Sequence, residues 1–202
     1  MIQTRSRSEV KRQQILDAAS ELFVSHSFDT VSMDRVAQLA GVSKQTVYSH
    51  FGNKEALFEA AIGGRCSVYQ INEALFTGKE ANTVLQQFAQ LFSLLILSQE
   101  ALSVFRTCIA QSLTHPQLAE IYFEAGPEQV ISLFTEYLAR LTEQGKADIS
   151  EPRFAAVQFL KMVQGEQRMR KELNLAVLLA DADHQRYVQS CVDMFIRAYQ
   201  VR

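Results

Sequence analysis

Three helix-start signals lie within the 26 residues from Ser32 to Leu57. Ser32, Ser43 and Asn53 are N-cap residue types, whose side-chain oxygens accept from the N–H groups left open in a first helical turn. Each has an apolar pair at or near staple spacing: Val31 with Val36, Val42 with Val47, and Phe51 with Leu57. Gly41 and Gly52 stand where the intervening helices must stop, and glycine takes the left-handed conformation that ends a helix. The stretch therefore reads as short helices joined by tight turns, and Ser32 to His50 has helix-turn-helix spacing.

The rest of the chain is starved of breakers. It holds eight glycines and three prolines in 202 residues, well below the roughly 12% of average usage. A first helix runs from about Glu9 to Ser25, with Ile15, Ala18, Ala19, Leu22 and Phe23 at helical spacing. The fourth helix, from Asn53 to about Asn72, carries Gly63-Gly64 in its interior. That pair costs a helix about 2 kcal/mol relative to two alanines, and it reads as a flexible or close-packed joint between domains. From Ala81 onward apolar stripes mark long helices. Pro116 and Pro152 open two of them, Gly126-Pro127 kinks or restarts one, and the last begins at Asp181 or Asp183. The expected fold is all-α. A three-helix helix-turn-helix domain occupies residues 1–54 and an antiparallel helix bundle residues 55–202, with the helix over about 53–72 bridging them.

Hydrophobic residues make up 48% of the chain and charged residues 21%, an ordinary globular balance that argues against disorder. The net charge of −2 excludes a uniformly basic coat for nucleic acid, though not a local basic surface. Cys66, Cys108 and Cys191 are scattered, without ligand spacing, which fits buried thiols in a reducing compartment. The N-terminus has no apolar core for a signal peptide. The longest uncharged stretch, Ala81 to Gln99, is too rich in Asn, Thr, Gln and Ser to read as a membrane span. A cytoplasmic protein with no membrane partner and no cofactor is expected.

In a helix-turn-helix the first helix braces and the second enters the major groove. Val36, Leu39, Ala40, Val42 and Val47 supply the brace, while the second helix exposes Lys44, Gln45, Tyr48 and Ser49. Lysine donates to guanine acceptors, and glutamine pairs with adenine. Tyrosine offers its ring to a thymine methyl or its hydroxyl to a phosphate. The basic residues are sparse and clustered. Arg5, Arg7, Lys11 and Arg12 lie at the N-terminus, and Lys44 and Lys54 flank the reading helix. So few phosphate contacts per subunit call for a dimer.

The run Ala37-xx-Ala40-Gly41-Val42-Ser43-xx-Thr46-Val47-Tyr48-x-His50-Phe51-x-Asn53-Lys54-Glu55-x-Leu57 resembles the N-terminal domain of the TetR family of bacterial transcriptional repressors. Phe105-Arg106, Tyr122 to Pro127 and Gln158-Phe159-Leu160 are similar to the AcrR- and AefR-like branch. The resemblance implies base contacts from Lys44, Gln45, Tyr48 and Ser49, and phosphate contacts from Ser32, Thr46, His50 and Lys54. It also implies an all-helical dimer on a palindromic operator in double-stranded DNA, with a ligand-sensing C-terminal domain.

Two further sites are expected from the stripes. The first is a cavity for a small apolar or amphipathic molecule, walled by Phe88, Phe92, Phe105, Ile109, Tyr122, Phe123 and Phe134, with Gln158 and Gln164 as polar groups. The second is a homodimer interface, closing a four-helix bundle through Phe154 and Val157 on one helix and Val188, Val192, Phe195, Ile196 and Tyr199 on the last. The bland readings are a filled core and an α-helical stripe buried internally. Asp181, Asp183 and His184 read as helix-start residues rather than metal ligands. The rivals are a ligand-independent architectural protein, a small helical enzyme lacking any evident catalytic set, and a redox sensor working through Cys66 or Cys108.

Overall fold

The computed structural model describes residues 6–176 and 179–202, and for residues 65–67 the backbone alone. Arg5 and the Cys66 thiol therefore lie outside the described residues. Among the described residues the regular structure is helical, with no strand. The chain divides into two compact units, residues 1–64 with 103–125, and residues 65–102 with 126–202. The first boundary falls at Gly64, beyond the expected limit at residue 54. Residues 103–125 join the N-terminal unit because Cys108 and Leu118 are buried in its core beside Leu57 and Phe58, a long-range pairing that no local pattern carries.

In the first unit, helix α1 (Arg7–Ser25) opens with a full capping box. The Glu9 N–H donates to Ser6 Oγ at 3.2 Å and the Ser6 N–H donates to Glu9 Oε2 at 2.6 Å. A 3-10 turn (Phe28–Thr30) leads to α2 (Met33–Ala40) and α3 (Lys44–Phe51). The expected caps form: Ser32, Ser43 and Asn53 accept from the N–H groups of Arg35, Thr46 and Ala56. Gly41 ends α2 with φ 66°, where any Cβ would be strained. Helix α4 (Lys54–Val68) stops short of Asn72, because Gln70 turns to φ 57° and Asn72 caps a 3-10 turn over Glu73–Phe76. Gly63 and Gly64 are not forced by crowding. A Cβ at Gly63 would meet Ala125 O at an ordinary 3.7 Å, and at Gly64 nothing.

Helices α5 (Ala81–Leu97), α6 (Gln99–Gln111), α7 (Pro116–Phe123), α8 (Gln129–Glu143), α9 (Pro152–Glu172) and α10 (Asp181–Ala198) follow. Between α7 and α8 the Gly126-Pro127 step lies in a non-α stretch. Residues Glu124–Glu128 form a π-helical turn. Proline lacks the N–H and crowds the carbonyl four residues back, and the wider turn accommodates both defects with one extra residue.

In the second unit, α5 packs on α9 and α10, and α8 packs on α9. The core is aromatic. Phe134 lies 4.4 Å from Phe88 and 5.1 Å from Phe159 between ring centroids, and Phe159 lies 4.8 Å from Phe195. Helix α9 is broken at Gly165, whose φ is 53° and ψ −168°. The break leaves the Met162 carbonyl to accept from the Tyr187 hydroxyl at 2.6 Å. Beyond it, Arg168 and Lys171 donate to the Ile96 and Leu97 carbonyls at the C-terminal end of α5, where cations complement the helix dipole.

The last helix corrects the dimer expectation. Val188, Val192 and Phe195 are buried in the protomer's own core against α5 and α9. Phe159, Leu160 and Val163 of α9 are buried in the same core, and the three α10 residues are unavailable to a partner. Phe154 is 64% exposed and Met194 52% exposed, while Val157, Ile196 and Tyr199 are half-buried. No single helix among the described residues is long and apolar enough to cross a membrane.

Candidate nucleic-acid interface

The geometry of α3 follows from its eight residues. At about 100° per residue, Val47 and Phe51 share one side and are buried. Gln45 and Ser49 lie on the opposite side, Tyr48 and the first-turn Lys44 fall between the two sides, and all four are exposed. Thr46 and His50, one turn apart, lie half-buried along the flank. The structure thus leaves the four expected base-reading residues on the exposed face of the helix. Val36 and Ala37 on α2 and Leu57 on α4 are buried with Val47 in one core, so the face sits on a rigid support.

Local bonds shape this surface. Ser43 Oγ and Thr46 Oγ1 lie 2.8 Å apart, and Ser49 Oγ donates to the Thr46 carbonyl at 2.9 Å. Ser32 stays exposed at the cap of α2, with a hydroxyl proton left to donate. The His50 ring lies 6.1 Å from that of Phe51, tilted. The cations are more engaged than the sequence discloses. Arg35 donates to His26 Nε2 at 2.8 Å. Lys44 Nζ donates to Asp34 Oδ2 at 2.9 Å, and this bond raises its pKa above the ordinary lysine value. Lys54 Nζ donates to the Phe28 carbonyl at 2.9 Å and sits 4.1 Å from the Phe28 ring centroid. One of its three donors is therefore spent on fixing the start of α4 to the turn after α1. No spacing rule joins residues 34 with 44 or 28 with 54, so these pairs were out of reach of the sequence.

The expected ligand walls are divided between the units. Phe88, Phe92 and Phe134 are buried in the second, and Gln158 there accepts from the Tyr199 hydroxyl at 2.7 Å. Phe105 and Tyr122 belong to the first unit, their rings 6.0 Å apart. Ile109 is 60% exposed and Phe123 is also exposed, so neither lines an enclosed space in the single chain. Cys108, one residue before Ile109, takes the inward position on α6. The sequence overlooked Tyr137. Its hydroxyl is buried beside Phe76 and Phe134 with no hydrogen-bond partner among the described residues, and burial pushes its pKa up to about 12.

The remaining candidates resolve into local chemistry. Asp183 pairs with Arg186, and His184 Nε2 bonds Ser93 Oγ at 2.7 Å. Among the described residues no group of three ligand types could hold a metal. Cys108 and Cys191 are buried free thiols, and burial pushes Cys108 up to about 12 and raises Cys191 as well. Since the thiolate is the reactive form, both stay unlabelled by iodoacetamide at pH 8 in a native Cys66→Ser protein and react in denaturant. Rapid native alkylation of Cys108 would restore the redox-sensor reading.

Short capped helices presenting one polar face, attached to a bundle with an aromatic core, define a helix-turn-helix protein with a separate helical domain. Residues 15–61 match the bacterial regulatory proteins of the TetR family, and residues 83–201 match the C-terminal domain of AefR-like transcriptional repressors. The chain belongs to the TetR family of bacterial transcriptional regulators. It is similar to a TetR-family regulator from Mesorhizobium loti, at 28% identity and a TM-score of 0.79, covering 96% of this chain and 99% of that one. It is similar too to the flavonoid-responsive regulator FrrA, at 28% identity and a TM-score of 0.71 over 94% and 96% of the two chains. The HTH-type regulator SrpR of Pseudomonas putida is 37% identical over 62 residues, which is 31% of this chain. The matched stretch spans 29% of SrpR's length.

Proposed function

We propose that this protein is a cytoplasmic one-component repressor that binds a palindromic operator in double-stranded DNA as a homodimer and leaves it on binding a small apolar or amphipathic ligand. Residues 1–54 carry DNA reading and residues 55–202 carry sensing and dimerisation. The observation that carries the reading is the α3 face. Lys44, Gln45, Tyr48 and Ser49 point outward together from a helix locked by Val47 and Phe51. Ser32, Thr46, His50 and Lys54 border it as phosphate contacts. Half-sites one helical turn apart, about 34–36 Å, suit two such faces related by a two-fold axis.

The dimer forms through α9 and α10, with exposed Phe154 and Met194 at its centre and Val157, Ile196 and Tyr199 beside them. Two exposed apolar side chains on the last two helices support that placement. The ligand reading rests on the Tyr137 hydroxyl. It is a buried polar group without a partner among the described residues, in an aromatic surround, the composition of a small-molecule site. FrrA's description as flavonoid-responsive favours a flat, aromatic ligand for that surround. Ligand release is a population shift, limited by the ligand's differential affinity for the two conformations. The close packing of Phe88, Phe134 and Phe159 favours the second reading, a ligand-independent regulator whose core is simply full.

Selection from a random duplex pool tests DNA reading. The wild-type chain enriches a palindrome, and Gln45→Ala loses about 1–3 kcal/mol of affinity for it while relaxing preference at one base position in each half-site. An unchanged preference removes Gln45 from base reading. Failure of a flavonoid panel to release the palindrome or to raise the melting temperature favours the ligand-independent reading.

A further inference from the structure

We propose that Asp34 is a positioning residue for DNA specificity: it holds the Lys44 ammonium for base reading and keeps it from acting as a free phosphate-binding charge. The proposal rests on the assignment of Lys44 to base contact made above. Lys44 is the only Lys or Arg on α3. Its Nζ is 2.9 Å from Asp34 Oδ2, on the first turn of α2, and 5.9 Å from the Tyr48 ring centroid. The backbones beneath both partners are fixed. Met33, Val36, Ala37 and Val47 are buried, and the Gly41 turn joins the two helices.

The pair is not explained by stability. Both side chains are more than half exposed, and such ion pairs contribute little to folding. An acidic residue on a DNA-facing surface also opposes binding unless it does something there. Its effect on Lys44 is twofold. It cancels the charge at the distance of the phosphate backbone, where attraction is blind to sequence and counts neutralised phosphates. It also uses one of three ammonium donors and fixes the direction of the other two. A directed donor pair satisfies guanine O6 and N7 better than one sweeping freely among phosphates. Lys44 thereby adds to the difference between right and wrong sequences more than to overall affinity.

The test uses the full chain, the palindrome it selects, and a scrambled duplex of the same composition, with binding followed across a KCl series. Asp34→Asn is expected to tighten binding to the scrambled duplex several-fold. It should steepen the salt dependence by about 0.9 in slope per subunit, and reduce the ratio of palindrome to scrambled affinity about tenfold. Asp34→Glu, which keeps the acceptor, is expected to retain most of the ratio. In a Lys44→Met background, Asp34→Asn is expected to leave the ratio alone. Equal tightening on both duplexes, with the ratio preserved, overturns the proposal, because Asp34 then merely repels phosphate. No change in ratio or slope overturns it as well. A Lys44→Met protein with the wild-type ratio overturns the base-reading assignment itself. If Lys44→Met loses the ratio and Asp34→Asn does not, Asp34 alone is dismissed. Asp34→Ser, at the same exposed position, repeats the test should the Asn variant melt early.

Discussion

Gly165→Ala is expected to lower unfolding free energy by about 3–5 kcal/mol, the sum of a backbone contribution and a packing contribution. At φ 53° and ψ −168° the backbone occupies a region close to that reserved for glycine. The added Cβ would stand 2.7 Å from Tyr187 Cε1 and from its hydroxyl oxygen. Tyr187 cannot withdraw freely, since its hydroxyl serves the Met162 carbonyl. Straightening α9 is no easy escape, because it carries Arg168 and Lys171 away from the Ile96 and Leu97 carbonyls. In a domain of this size the loss is about 10 °C in melting temperature. Gly64→Ala is the control. It sits in α4 with open space around it, so helix propensity alone makes it neutral or stabilising by up to about 1 kcal/mol. A Gly165→Ala protein melting with the wild type would mean that α9 is continuous in solution.

The second large effect separates the core from the proposed dimer surface. Val192→Asp is expected to unfold the second unit. Val192 is fully buried in the core that α5, α9 and α10 share, where a carboxylate would replace an apolar side chain. The loss exceeds about 4 kcal/mol, from forfeited burial and charge desolvation together. Far-UV circular dichroism then shows lost helix at any protein concentration. Phe154→Asp with Met194→Asp touches exposed positions only, so the expected product is a folded monomer by light scattering, with sharply weakened operator binding. A folded, monomeric Val192→Asp protein would return that residue to the interface. A dimeric Phe154/Met194 variant would move the interface off these two positions.

The contrast between the two halves shows what a local pattern carries. The caps at Ser32, Ser43 and Asn53 formed where their residue types stand, since each bond spans three residues. Periodicity on α10 correctly marked Val188, Val192 and Phe195 as one apolar side, but not what that side meets. A stripe looks the same whether it faces α5 or a second copy of the chain. On α6 the inward position passed to Cys108 instead of Ile109, because Leu118 and the N-terminal helices set which side is covered. In sequence the aromatic set reads as a candidate cavity wall without the Tyr137 hydroxyl, whose isolation is a property of its neighbours and not of its own segment.

By itself the sequence determined the helical class, the ends of the short N-terminal helices and the outward face of α3. These depend on capping, left-handed glycine and 3.6-residue periodicity, all interactions within a turn or two. Only the tertiary structure decided the break at Gly165, the pairing of Lys44 with Asp34 and of Lys54 with the Phe28 carbonyl, and the seating of Arg168 on the end of α5. Each joins residues on separate elements, up to 72 positions apart. A glycine within a helical run, or a lysine on a surface face, has many allowed partners in sequence. Packing selects one by placing a ring, a carboxylate or a bare carbonyl within bonding distance.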